Sequence, residues 1–256
     1  MIPARNIRLF FILPFFLIGC LQSASFTREY RVRHVIDGDT IELDNGSAVR
    51  YIGIDTPEVR KRQGNSWVYS PEPYAEKAKD YNRRLVEGKP VRLEFDVQKK
   101  DKYGRLLAYC YVDDAFVNAK MLEEGFAILY TISPNVKYVD LLVDKQKSAR
   151  RNNRGIWAEP VIIPAKDAKN YLNQMATVEG KVSSVRQSAK VSILNFGQSG
   201  FKAVVFKGEF PFFLSQGISI PKAYKGKTLR ITGKIKEYKG GPEIIVQHPS
   251  AIEVID

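Results

Sequence analysis

Three short segments carry residues whose types and spacing suit phosphate chemistry. They are Asp37-Gly38-Asp39-Thr40, the run from Arg50 through Asp55-Thr56-Pro57-Glu58, and Asp101-Lys102-Tyr103-Gly104-Arg105. Asp37 and Asp39 are two apart, so on an extended strand both carboxylates would point to one face. Asp55 ends an apolar stretch, and Glu58 follows three residues later. Pro57 restricts Thr56 to extended geometry, which lets the Thr56 carbonyl turn out of a ladder. Carboxylates brought together repel one another unless a cation sits between them, and a hard cation such as Ca²⁺ takes such oxygens, backbone carbonyls included. Arg50 and Arg105 offer planar forks matched to phosphate oxygens. Carboxylates, a hard metal and two guanidinium groups together suit cleavage of a phosphodiester.

These residues need a scaffold, and the flanking sequence predicts one. VRHVI, TIEL and AVRYIGI read as short strands rich in β-branched residues, with Asp37-Gly38 and Asn45-Gly46 as turn dipeptides between them. Tyr74, Ala78, Tyr81 and Leu85 form one apolar stripe, predicting a helix over about 72–87 that stops at Gly88. VRLEF and LLAYCYV predict two more strands; helices are expected over 118–124 and about 137–153. The pattern is a small β-barrel with three helices over residues 30–158. After a joint at 159–175, residues 176–256 read as nearly all β. Five strand-like runs there (VEGKVSSV, KVSILNF, FKAVVF, TLRITGKI and EIIVQ) suit a second, OB-type barrel.

Composition narrows the chemistry. The chain has 256 residues, enough for one large or two small domains, and its 44% hydrophobic and 27% charged residues exclude a largely disordered chain. Forty Lys and Arg against 28 Asp and Glu leave a net charge of +12, which favours a polyanionic partner. Two Cys and two His cannot build a disulfide framework, a Cys₄ zinc site or a His-rich centre, so any metal should be held by carboxylates. Cys110 lies in an apolar run and reads as core packing; His34 reads as a strand residue, and Asp113-Asp114 as a turn.

The amino end reads as an export signal over 1–19. Arg5 and Arg8 precede the run LFFILPFFLIG, which is too short for a spanning helix. The ending Leu17-Ile18-Gly19-Cys20 resembles a bacterial lipobox, which implies that the signal is removed, that Cys20 is diacylated, and that the mature chain is anchored to a membrane in the cell envelope. An ordinary secretory signal cut near Ala24 is the plainer alternative.

VIDGDTIEL, VRYIGIDTPE and DKYGRLLAYCYVDDAFVN, followed by GIW at 155–157, resemble the thermonuclease family over about residues 30–158. The resemblance implies a mainly β fold with α, an OB-type five-stranded barrel plus three helices. It implies Ca²⁺ held by the Asp39 and Asp55 carboxylates and the Thr56 backbone carbonyl, with Asp37 in or near the second shell. Glu58 would activate the attacking water, and Arg50 and Arg105 would bind the scissile phosphate. Lys102 and Tyr103 would contact the terminal phosphate of the bound nucleotide, and Tyr130 would flank its base. The implied reaction is Ca²⁺-dependent hydrolysis of DNA and RNA with little sequence specificity, leaving 3′-phosphate ends.

The chain departs from the family pattern in three places. Ile132 stands where a second Tyr is common, the segment before Pro134 is one residue shorter, and the loop after Glu58 is longer, with Arg60, Lys61, Arg62 and Trp67. That loop reads as solvated, and Trp67 and Trp157 as packing residues. In the second unit, Lys222, Lys225, Lys227, Arg230, Lys234, Lys236 and Lys239 lie near Tyr224, Tyr238, Phe206, Phe210, Phe212 and Phe213, as in OB folds that hold single strands. The contrasting possibility for the whole chain is a non-catalytic nucleic-acid-binding module.

Overall fold

The computed structural model describes residues 30–255; the expected signal segment and Cys20 lie outside them. The first unit runs β1 (Tyr30–Asp37), β2 (Thr40–Leu43), β3 (Ala48–Tyr51), β4 (Gly53–Asp55), β5 (Arg60–Gln63), β6 (Ser66–Tyr69), α1 (Ala75–Val86), β7 (Pro90–Glu94), β8 (Leu106–Val112), β9 (Ala115–Phe116), α2 (Val117–Glu123), β10 (Ile128–Tyr130) and α3 (Val139–Arg151). Strands β3-β2-β1-β7-β8 form a continuous ladder, and β3 pairs in parallel with β8 to close it into a five-stranded barrel. Closure leaves those strands without a free edge.

The barrel closes because its strands alternate. Val32, Ile41, Leu43, Val49, Tyr51, Val91, Leu93, Ala108 and Cys110 all point inward and are buried. Helix α1 lays Ala78, Tyr81 and Leu85 against that core. Burial pushes the Cys110 thiol up to about 12, so it is an inert packing group. The sequence expectation for Asp37 and Asp39 needs one correction. They do not share an extended strand: Asp37 ends β1, while Gly38 and Asp39 form the two-residue turn that closes the Asp37–Thr40 pair. Two residues reverse the chain here, and the Asp37 carboxylate accepts the Gly38 backbone N–H at the start of the turn.

The second unit runs β11 (Ile162–Pro164), β12 (Met175–Lys181), β13 (Ser184–Gln187), β14 (Val191–Asn195), β15 (Lys202–Phe206), α4 (Phe210–Ser215), α5 (Ile220–Tyr224), β16 (Thr228–Lys234), β17 (Lys236–Tyr238), β18 (Gly241–Ile245) and β19 (Ile252–Val254). Four of the five runs read from the sequence each match one strand; VEGKVSSV instead spans the end of β12, a break at 182–183 and the start of β13. Their ladders fall into two sheets, β11-β12-β16-β19 and β13-β14-β15-β18-β17, around one core that includes Val178, Leu194, Phe201, Ile231 and Ile244. Of the segment read as a joint, Ile162–Pro164 pairs in parallel with β12, and Ala165 and Ala168 are buried in this second core. Among the described residues no helix is long and apolar enough to cross a membrane.

The two units are packed together. Phe212 of α4 lies against the first core, and Met175 joins a small cluster with Ile128, Ala149 and Trp157. His248 sits at this junction, 4% exposed, with its ring 5.3 Å from that of Phe212. Its Nδ1 accepts from the Ser250 backbone N–H at 3.1 Å, which suits a neutral ring. Burial pushes its pKa down to about 4. An unfolded His titrates near 6.5, so as the pH falls from about 6.5 to about 4 the unfolded chain gains a proton that the native state refuses. Stability is therefore expected to fall across that window by about 2–3 kcal/mol from this group. Denaturant titrations of His248→Gln should have a flatter slope there than the natural chain; equal slopes would exclude His248 as the cause.

Candidate active site

The site forms where three turns of the first barrel meet. Strand β3 carries Arg50, and the chain then bends at Ile52-Gly53 into β4, which ends on Asp55. Gly53 makes the bend with φ of +84°, a left-handed conformation that a side chain would resist. The bend folds the backbone under the Arg50 side chain. Arg50 Nη1 donates to the carbonyls of Tyr51 and Ile54, each at 2.8 Å. Its Nη2 lies 2.6 Å from Asp55 Oδ1 and 3.1 Å from Asp39 Oδ2. One guanidinium thus ties together carboxylates from the β1–β2 turn and from the end of β4.

Asp39 is heavily solvated by the protein itself. Its Oδ2 accepts from the Thr56 backbone N–H at 3.0 Å and from the Thr56 hydroxyl at 3.1 Å, and its Oδ1 from the Thr40 hydroxyl at 2.9 Å. This close approach needs the glycine between the two aspartates. A Cβ on Gly38 would stand 2.7–2.9 Å from three atoms of the Thr56 side chain, and would drive Thr56 off Asp39.

Asp37 Oδ1 accepts the Gly38 backbone N–H at 2.9 Å. Burial, and then the charges of Asp39 and Glu58, push its pKa up to about 8. Burial also raises Asp55, to about 6, against the pull of Arg50. On the other side Lys234, at the end of β16, places its Nζ 3.1 Å from Glu58 Oε1 and 4.0 Å from Glu72 Oε1. Burial works against the charge on Lys234, yet Glu58, Asp55 and Glu72 hold its pKa above the ordinary value.

Arg50 therefore faces Asp39, Asp55 and Glu58, and Lys234 faces Glu58, Asp55 and Glu72, while Asp37 meets the cluster through Asp39 and Glu58. Hard oxygen donors in excess of positive charge fit a hard divalent cation. Among the described residues no three His, Cys, Asp or Glu side chains already stand in metal-ligand geometry; Arg50 occupies the gap between Asp39 and Asp55.

Arg105 is not in this cluster. It precedes β8, the parallel neighbour of β3, and its Nε donates to Asp101 Oδ2 at 2.7 Å. Asp101 Oδ1 also accepts the backbone N–H groups of Tyr103 and Arg105, fixing the turn. Lys102 and Tyr103 stand at its exposed tip, with the Lys102 Nζ 5.0 Å from the Tyr103 ring centre. Tyr130, on β10, pairs with Gly53 and lies beneath Lys236 Nζ at 5.8 Å. It lines a cleft between the units together with Thr232, Gly233 and Lys234.

A family model described as Staphylococcal nuclease homologue matches residues 48–159. The thermonuclease of Staphylococcus hyicus is 40% identical over 132 residues, which cover 50% of this chain and 75% of that protein. The chain belongs to the staphylococcal nuclease family. Its relatives include the SPbeta prophage-derived endonuclease YokF of Bacillus subtilis, 36% identical over 159 residues, 60% of this chain and 52% of YokF. Endonuclease YncB of the same organism is 43% identical over 129 residues, 48% of this chain and 59% of YncB. The chain thus spans about half to three quarters of the length of these relatives. The family match ends at residue 159, so Lys234 and the rest of the second unit are outside it.

Several contributors escaped the sequence reading. Lys234, which the sequence marks only as one of the second unit's basic residues, is 176 positions from Glu58. Glu72 follows the long loop, and its Oε2 receives the Glu58 backbone N–H at 3.3 Å. The loop after Glu58 is itself a hairpin, β5–β6, turned by Gly64-Asn65; that dipeptide between β-forming residues was a usable signal. The expected basic and aromatic cluster of the second unit disperses. Phe213 and Tyr224 are core residues, Arg230 pairs with Glu179, and Phe206 and Tyr238 remain exposed.

Proposed function

We propose that the chain is a phosphodiesterase that hydrolyses DNA and RNA with little sequence preference, depends on Ca²⁺, and leaves 3′-phosphate ends. The observation that carries this reading is the Arg50 clamp on Asp39 and Asp55 with Glu58 alongside. Asp39 and Asp55 would hold the ion through their carboxylates and Thr56 through its carbonyl, with Asp37 behind them. When bound, the ion would supply positive charge to the scissile phosphate and its attacking water.

The remaining work falls to the chain's own residues. Glu58 would take the proton of the water that attacks phosphorus as the bond to the 5′ oxygen breaks. Arg50 would meet the charge developing on the phosphate. Its two Nη1 bonds to backbone carbonyls keep the guanidinium plane fixed while Nη2 exchanges a carboxylate for a phosphate oxygen. Arg105 would make the corresponding exchange away from Asp101. Lys102 and Tyr103 would take the terminal phosphate, and Tyr130 would flank the base. Contacts limited to phosphate, sugar and a base face read little sequence.

Digestion of single-stranded DNA by the full chain tests this directly, with Ca²⁺ or with a Ca²⁺-selective chelator. The reading expects shortened products with 3′-phosphate ends only when Ca²⁺ is present. DNA that is retarded but never shortened would make the chain a binding module instead. We further propose export and lipid anchoring at Cys20, motivated by the lipobox-like Leu17-Ile18-Gly19-Cys20. Fatty-acid labelling in a bacterial host should be lost in Cys20→Ser, and labelling that persists would refute the anchor.

A further inference from the structure

We propose that the hairpin formed by β5 and β6 is a stacking platform for unpaired bases of the nucleic-acid strand next to the cleavage site. The proposal extends the nuclease reading, on which its choice of occupant rests. The hairpin is a two-stranded sheet that, among the described residues, pairs with no other strand. Its register sets Arg60 opposite Tyr69 and Arg62 opposite Trp67. Residues opposite one another in an antiparallel pair share a face, as do residues two apart on a strand. Arg60, Arg62, Trp67 and Tyr69 therefore lie on one face, as two cross-strand pairs of guanidinium and aromatic ring.

That face is turned to solvent. Trp67 is 65% exposed and Tyr69 64%, where aromatic side chains of this size ordinarily bury most of their surface. The other tryptophan, Trp157, is 8% exposed. Within the hairpin, Arg62 Nε donates to the Gly64 carbonyl at 3.2 Å.

Two features select the occupant. The first is charge: Arg60, Lys61 and Arg62 follow one another on β5, without a carboxylate in the hairpin. The second is continuity with the candidate active site. The hairpin leaves the barrel one residue after Glu58-Val59, and its base is stapled there. Ser70 N–H donates to the Val59 carbonyl at 3.1 Å, and Glu72 N–H to the Glu58 carbonyl at 3.0 Å. The base of the hairpin thus adjoins Glu58, where the scissile phosphate would lie. Bases free of pairing expose their π faces to aromatic side chains, and each such stack is worth about 1–3 kcal/mol, or about 5- to 150-fold in affinity. In a duplex those faces are hidden, so the platform favours single strands.

Binding is measured with the full chain in a Ca²⁺ chelator, so that no cleavage is required, using a fluorescent oligothymidylate and a duplex of equal length. Trp67→Ala and Tyr69→Ala should each weaken single-strand binding at least fivefold and change duplex binding less than twofold. Unlabelled oligothymidylate should quench tryptophan emission in the natural chain, and the quench should vanish in Trp67→Phe, which leaves only Trp157. Far-UV circular dichroism checks that the variants fold. Equal loss for single strand and duplex, or a quench that survives in Trp67→Phe, overturns the proposal. Quenching by phosphatidylglycerol vesicles but not by oligonucleotide also overturns it, in favour of a membrane surface. If the platform binds but the chain never cleaves with Ca²⁺, the nuclease reading falls and the stacking surface stands.

Discussion

Replacing Glu58 by Gln is expected to slow Ca²⁺-dependent cleavage by about a hundredfold or more, since general-base assistance is commonly worth about 10²–10⁴ in rate. The change is nearly isosteric. A glutamine carbonyl can still accept from Lys234, now 3.1 Å from Glu58 Oε1, and the backbone bond from Glu58 N–H to Glu72 is untouched. What is lost is the negative charge and, with it, the capacity to take a proton. Single-turnover rates on an oligonucleotide, compared at equal occupancy, read the effect. Oligonucleotide affinity in chelator should change little. A Gln variant that cleaves at the natural rate would remove Glu58 from the reaction and leave Arg50 and the metal donors to account for it.

Arg50→Met is expected to cost about 3–5 kcal/mol of folding stability, the usual result of removing one partner from a buried ion pair. Arg50 is 12% exposed on its side chain, as is Asp55, and Asp39 is 9% exposed. Without the guanidinium those two carboxylates face each other uncompensated, and the carbonyls of Tyr51 and Ile54 lose their donor. Methionine keeps much of the volume, so the loss is electrostatic rather than a cavity. Arg50→Lys should fall between the two, because a single ammonium cannot reach two carbonyls and two carboxylates with one planar fork. Urea titration measures this independently of any activity. A loss below about 1 kcal/mol, the range of an exposed pair, would mean that the cluster is solvated and Arg50 is not its keystone.

The strands were legible because β-branched residues alternate, and the Asp-Gly and Asn-Gly dipeptides mark where they turn. Helix α1 was legible from the stripe Tyr74, Ala78, Tyr81 and Leu85, although the helix itself begins at Ala75 and Tyr74 caps it in a left-handed conformation. Asp39, Asp55 and Glu58 could be singled out because they sit in short motifs, each set by local backbone geometry. Asp37 and Asp39 do not share a strand face, because the Asp-Gly that marks the turn also takes Asp39 out of the strand.

What the sequence by itself determined is the list of chemical groups: hard oxygens, guanidinium forks, a basic excess, and strands short enough to bring them to the ends of a barrel. Only the tertiary structure decided which cation meets which carboxylate. Barrel closure brings β3 beside β8, and the bend at Gly53 aims Arg50 at Asp39 and Asp55. Packing of the second unit delivers Lys234 to Glu58. Such pairings have no periodicity to betray them, because electrostatic contacts depend on distance in space, and the chain records only distance along itself.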